Sequence, residues 1–124
     1  MQFVPHIDPA LPFSTAVNVD GIAYMSGNIG ILPDGSVPPG LERQSRLALD
    51  NMIAALKLAG CALEDVFKCT VMLADMNDWP AFNRIYLEYF PANRLPARSA
   101  FGTTGLALGA LVEIECLAKV PSSN

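Results

Sequence analysis

Hydrophobic and polar positions alternate, cluster and alternate again along this chain, and the changes of period mark the elements. From Thr15 to Ser26, Val17 and Val19 sit between polar neighbours, Asp20-Gly21 offers a tight turn, and Ile22 to Met25 resumes apolar, which predicts a β-hairpin. Leu32 to Gly40 holds Pro-Asp-Gly and Pro-Pro-Gly, which is loop chemistry. Leu41 to Ala59 changes to a helical period, with Leu49, Met52, Ile53 and Leu56 on one face and Gly60 as the stop. Val66 to Ala74 is rich in apolar and β-branched residues and reads as a strand. Asn77 or Asp78 can cap a second helix with Trp79 and Pro80 in its first turn. That helix runs to about Phe90 and buries Phe82, Ile85, Tyr86 and Tyr89. Two further strands follow, Ala97 to Thr104 and Ala110 to Val120. In the last, Val112, Ile114, Cys116 and Ala118 share an apolar face, and Glu113 and Glu115 lie on the other. The closing Pro-Ser-Ser-Asn is expected to fray.

This order of elements predicts an α+β class: one domain over residues 1–124, a sheet with both helices on one face. A sheet covered on one face has to hide the other elsewhere. Composition points the same way. Apolar residues make up 52% of the 124 positions and charged ones only 16%. A chain of this length buries about two thirds of its unfolded surface, and polar cover is short for the rest. A homo-oligomer is therefore favoured over a monomer, and three copies around an axis are one solution.

Charge and cysteines exclude several classes. The net charge is −4, with eight Lys and Arg in total and no run of them, which argues against nucleic acid or an anionic membrane surface as partner. Cys61, Cys69 and Cys116 are odd in number and form no CxxC, so buried free thiols in a reducing, cytoplasmic setting are expected. The start of the chain has no basic leader, and no apolar run reaches the ~18 residues of a membrane span. The one histidine, His6, leaves neither a zinc site nor a histidine-based triad in view. No metal and no cofactor are called for.

Carboxylates, arginines and backbone remain. Arg98 follows the rigid Leu95-Pro96 and is either a salt-bridge partner or a planar fork for a ligand carboxylate. Glu113 stands in an otherwise apolar strand, either on a solvated face or in a pocket that lifts its pKa toward proton-transfer use, with Glu115 as its competitor.

Five segments in order carry a resemblance. Pro12-Phe13-Ser14-Thr15-Ala16-Val17, Tyr24-Met25-Ser26-Gly27-Asn28-Ile29-Gly30, Val71-Met72-Leu73-Ala74-Asp75-Met76-Asn77-Asp78-Trp79, Pro96-Ala97-Arg98-Ser99 and Gly109-Ala110-Leu111-Val112-Glu113-Ile114-Glu115 resemble the Rid (YjgF-type) family over nearly the whole chain. The resemblance implies a chorismate-mutase-like α+β fold with a mixed sheet. It also implies a homotrimer with sites at subunit interfaces, and no cofactor. It implies that the final strand inserts between earlier ones, where the local pattern alone would pair the last two strands as a hairpin. The implied activity is hydrolysis of reactive 2-imino acids and enamines to 2-oxo acids and ammonia. Arg98 matches the family arginine that grips the substrate carboxylate, and Glu113 the glutamate that places water and moves protons. Ser26, Gly27 and Asn83 match positions lining or bracing the pocket. Phe13 stands where a tyrosine is usual, Ala100 where many members have cysteine, and Asn28 where glutamine is usual. The lost hydroxyl at Phe13 keeps open a non-catalytic metabolite binder, or a deaminase for a larger enamine. A ribonuclease or translation inhibitor fits the acidic charge poorly.

Overall fold

The computed structural model describes residues 1–122. Its elements in chain order are β1 (Gln2–Val4), β2 (Ala16–Val19), β3 (Ile22–Met25), β4 (Asn28–Ile29), α1 (Leu41–Leu58), β5 (Val66–Leu73), α2 (Trp79–Tyr89), β6 (Ala97–Gly102) and β7 (Val112–Lys119). The strands form one mixed sheet in the order β1-β2-β3-β7-β5-β6, with β4 also paired to β7. Only β5 and β6 are parallel, and α2 is the crossover between them. The last strand thus lies in the middle of the sheet, between β3 and β5. A hairpin of the final two strands does not form, because β7 satisfies its backbone against β3, β4 and β5.

The β2–β3 turn is the Asp20-Gly21 pair, with φ of +50° and +80°, the two left-handed residues that match strand twist in a two-residue hairpin. Helix α1 buries Ser45, Ala48, Leu49, Met52 and Leu56. Its end is a Schellman motif: Gly60 N–H donates to Lys57 O and Cys61 N–H to Leu56 O, with Gly60 at φ +84°. Helix α2 begins differently from expectation. Asp75, not Asn77 or Asp78, supplies the capping oxygen, accepting from Asn77 N–H at 2.9 Å. A 3₁₀ turn, Met76–Asp78, then runs straight into α2, so Asp78 already has helical φ/ψ and its side chain makes no cap bond. Phe82, Ile85 and Tyr86 are buried as expected; Tyr89 is only half-buried, because its hydroxyl reaches the surface of α1 to donate to Asp50 at 2.9 Å.

Both helices cover one face. Cys69, Val71 and Leu73 of β5 and Val112, Ile114, Cys116 and Ala118 of β7 are buried beneath them. The three cysteines are free and buried. The register puts Phe3, Val17, Tyr24, Leu117, Met72 and Phe101 on the opposite face. Among the described residues no element covers them, and Phe3, Tyr24 and Phe101 are 64%, 49% and 47% exposed. Of the tail expected to fray, Pro121 and Ser122 have no regular structure, and Ser123 and Asn124 lie outside the described residues.

Candidate active site

The candidate residues fall into two groups on opposite faces of the sheet. Arg98 pairs with Cys69, which points into the helix-covered core. Glu113 pairs with Met72, three residues further along β5 and therefore on the bare face. Strand parity alone keeps the two side chains apart within one chain.

The first group is built on the sheet edge. β6 is the outermost strand and follows the Leu95-Pro96 loop, so Arg98 enters the sheet where α2 passes over it. Its Nη2 donates to Asn83 Oδ1 at 2.7 Å. A cavity of about 300 Å³ opens here, lined by Asn83, Tyr86, Leu87, Leu95, Pro96 and Arg98. Among the described residues the ion pairs are those of Arg46 with Glu42 and Glu88. Arg98 is half-buried, with no carboxylate of the described residues paired to it. A guanidinium in that position, beside an apolar wall, is suited to a ligand carboxylate. Ala100 lies two residues on, on the same face, half-buried against the core.

The second group is built around the β3–β4 junction. Glu113 lies across from Ile29 of β4, and Gly27 stands over its side chain. A Cβ on Gly27 would lie 2.9 Å from Glu113 Cδ, so only glycine leaves the carboxylate where it is. Ser26 donates through Oγ to Ser14 O at 2.6 Å, tying the segment after Phe13 to this junction. Phe13 is exposed, its ring edge-on to His6 with centroids 5.4 Å apart. Burial, and then the charge of Glu115 on the same face, raise the Glu113 pKa above the ordinary glutamate value. A half-buried carboxylate shifted upward is a general-base candidate.

The structure therefore joins Asn83 with Arg98, and Gly27, next to Ser26 in the chain, with Glu113, and leaves the two sets separate. Tyr86 also lines the Arg98 cavity, a position that periodicity assigns only to the core. The usable signal is its place three residues after Asn83, on the same side of α2.

The profile of the family described as endoribonuclease L-PSP matches residues 4–120. A mouse protein named 2-iminobutanoate/2-iminopropanoate deaminase is 45% identical over 109 residues, covering 86% of this chain and 80% of its own length. The human protein of that name is 44% identical, covering 86% of this chain and 79% of its own. Among solved structures, the YjgF gene product of E. coli superposes with a TM-score of 0.82 at 31% identity, covering 94% of this chain and 92% of its own. RidA from an Antarctic Psychrobacter superposes at 0.85 with 30% identity, covering 94% of each chain.

Proposed function

This chain belongs to the Rid (YjgF-type) family, and on that premise we propose that it is a hydrolytic deaminase of reactive 2-imino acids such as 2-iminobutanoate and 2-iminopropanoate. The observation that carries the reading is Arg98: a half-buried cation with no carboxylate partner among the described residues, held at a small cavity by Asn83. A 2-imino acid supplies the missing anion. Its C=N carbon is already electrophilic, so the protein has to orient the substrate, place water and move protons. Glu113 takes a proton as water adds to the imine carbon. Glu113 then returns that proton to the nitrogen of the carbinolamine, the C–N bond breaks to release ammonia, and the hydroxyl proton passes to solvent as the 2-oxo acid forms. Acid–base help of this kind is worth about 10²–10⁴ in rate.

Arg98 and Glu113 occupy opposite sheet faces, so one site that uses both takes them from two copies of the chain. The exposed Phe3, Tyr24 and Phe101 give a second copy an apolar surface to cover. We assign this assembly as a homotrimer, with Phe13, Ser26, Gly27 and Glu113 from one copy facing Asn83, Arg98 and Ala100 of the next. Among the described residues no helix is long and apolar enough to cross a membrane, and a cytoplasmic location fits the reduced thiols of Cys61, Cys69 and Cys116.

The test is hydrolysis of freshly generated 2-iminobutanoate and 2-iminopropanoate with and without the protein. Acceleration is expected, and Arg98→Ala should remove nearly all of it. A fully active Arg98→Ala protein sinks the mechanism. Absence of acceleration with tight 2-oxo acid binding would instead favour a metabolite binder.

A further inference from the structure

Among the described residues Arg98 has no carboxylate partner, and something other than a counter-ion has to hold it. Its guanidinium carbon lies 4.7 Å from the centroid of the Tyr86 ring and 6.0 Å from that of Phe82. Tyr86 is 4% exposed. It sits in an aromatic ladder along α2, with ring centroids 5.8 Å from Phe82 and 4.6 Å from Phe90. The ring is fixed by its neighbours on both sides along the helix.

The hydroxyl is not what this position uses. Tyr86 OH is buried with no hydrogen-bond partner, and burial, reinforced by the adjacent Cys69 thiol, pushes the phenol pKa upward. It stays protonated at neutral pH and does not bond to Arg98. What Tyr86 offers is a ring face. The negative face of the ring quadrupole attracts a cation without neutralising it. An aspartate or glutamate in its place would hold Arg98 equally well but would compete with the substrate for the same N–H groups.

We propose that Tyr86 is a positioning residue for the substrate carboxylate. Its ring fixes the Arg98 guanidinium from one side while Asn83 Oδ1 takes one Nη2 N–H, and the remaining N–H groups are left unspent for the incoming anion. This rests on the reading of Arg98 as the carboxylate-binding residue.

The experiment measures binding of 2-oxobutanoate, a stable carboxylate product, by calorimetry, beside imine hydrolysis. Tyr86→Phe should bind within about twofold of the unsubstituted protein, and Tyr86→Leu about 3- to 30-fold more weakly. Tyr86→Leu also removes a ring from the aromatic ladder and so puts folding at risk; the deciding series therefore places phenylalanine and its mono- and trifluorinated analogues at position 86. Ring size is nearly constant in that series while the π face is progressively depleted of charge. Kd for 2-oxobutanoate, and KM for the imine, should rise stepwise with fluorine content while kcat stays flat. A Kd constant across the series overturns the proposal, as does a Tyr86→Phe protein as weak as Tyr86→Leu. If 2-oxobutanoate binding shows this fluorine dependence across the series but the unsubstituted protein hydrolyses no imine, the deaminase reading falls and the role of Tyr86 stands. If the unsubstituted protein hydrolyses the imine but neither Kd nor KM changes across the series, the role of Tyr86 falls and the deaminase reading stands.

Discussion

At the scale of single residues, Glu113 and Gly27 form one device. The glycine exists to leave room for the carboxylate, since a Cβ there would meet Glu113 Cδ at 2.9 Å and Cγ at 3.2 Å. The neighbour is the end of a flexible side chain, so it yields, and it yields by leaving its working position. Gly27→Ala should therefore keep its melting temperature within a few degrees yet lose about 100-fold in kcat, the usual cost of a displacement near 1 Å at a reacting group. Steady-state kinetics beside a thermal melt check both halves. In the proposed mechanism Glu113 trades stability for function. Its pKa is raised by burial first and by Glu115 second, so the folded chain holds this proton more tightly than the unfolded chain does. The stability associated with the protonated form is complete below the unfolded glutamate pKa and is lost as pH rises through the folded one. Glu113→Gln should then melt like the parent protein below pH about 4 and above it near pH 7. The same substitution should lower kcat by about 10²–10⁴ and remove the acid limb of the activity profile, whose midpoint in the parent lies above the ordinary glutamate value. Parallel melts and rate profiles across that pH range decide it; a variant less stable at pH 7 would show that Glu113 is not held against its charge.

At the scale of elements, what local pattern could and could not reveal follows from how far apart the interacting residues lie. The period of α1 and the alternation of β7 are legible because each depends on neighbours three, four or two positions away. β4 is two residues long between Gly27 and Gly30, too short for any period, yet it is the strand that fixes Gly27 over Glu113. β1 is three residues long and equally silent. The insertion of β7 between β3 and β5 joins residues more than ninety positions apart on one side and about forty to fifty apart on the other, and only the family resemblance foretold it. The α2 cap moved to Asp75 because a 3₁₀ turn precedes the helix, and Asp/Asn signals two or three residues apart do not resolve such an offset. A buried clamp was likewise invisible: Gln44 donates to Pro38 O at 2.8 Å and accepts from Leu111 N at 2.8 Å, tying the loop before α1 and the entry to β7 to the first turn of that helix. Gly30 packs directly on the Gln44 backbone, with a Cβ position 2.5 Å from its carbonyl oxygen. Gln44→Leu strands both partners, and a buried unpaired backbone group costs about 1–3 kcal/mol. Denaturant unfolding should show that loss for Gln44→Leu, while a substitution at exposed Glu42 on the same helix stays within about 0.5 kcal/mol.

At the scale of the whole molecule, the placement of Arg98 and Glu113 on two sheet faces makes the proposed oligomer a matter of chemistry as well as of surface cover. Sequence named both Arg98 and Glu113, because each is a charged residue in a context that would otherwise be apolar or rigid. It could not place them relative to each other, since parity along β6 and parity along β7 are each readable but the β5 register that relates them is not. With Cys69 opposite Arg98 and Met72 opposite Glu113, neither chain alone holds a complete pair. Two inactive proteins should therefore rescue each other. Arg98→Ala keeps its glutamate and Glu113→Ala keeps its arginine. In a randomly mixed closed ring, one interface in four pairs an intact arginine with an intact glutamate, so co-refolding equal amounts should return about a quarter of the parent activity. Mixing the folded proteins without refolding should return little until subunits exchange. If instead both residues serve sites within their own chain, no mixture of the two variants recovers anything, however long it is left. Disrupting the apolar face tests the same assembly from the other side. Phe101→Glu leaves Arg98, Asn83 and Glu113 in place, and it should lower the assembled fraction in sedimentation and lower activity in the same proportion, with the residual activity rising as protein concentration is raised.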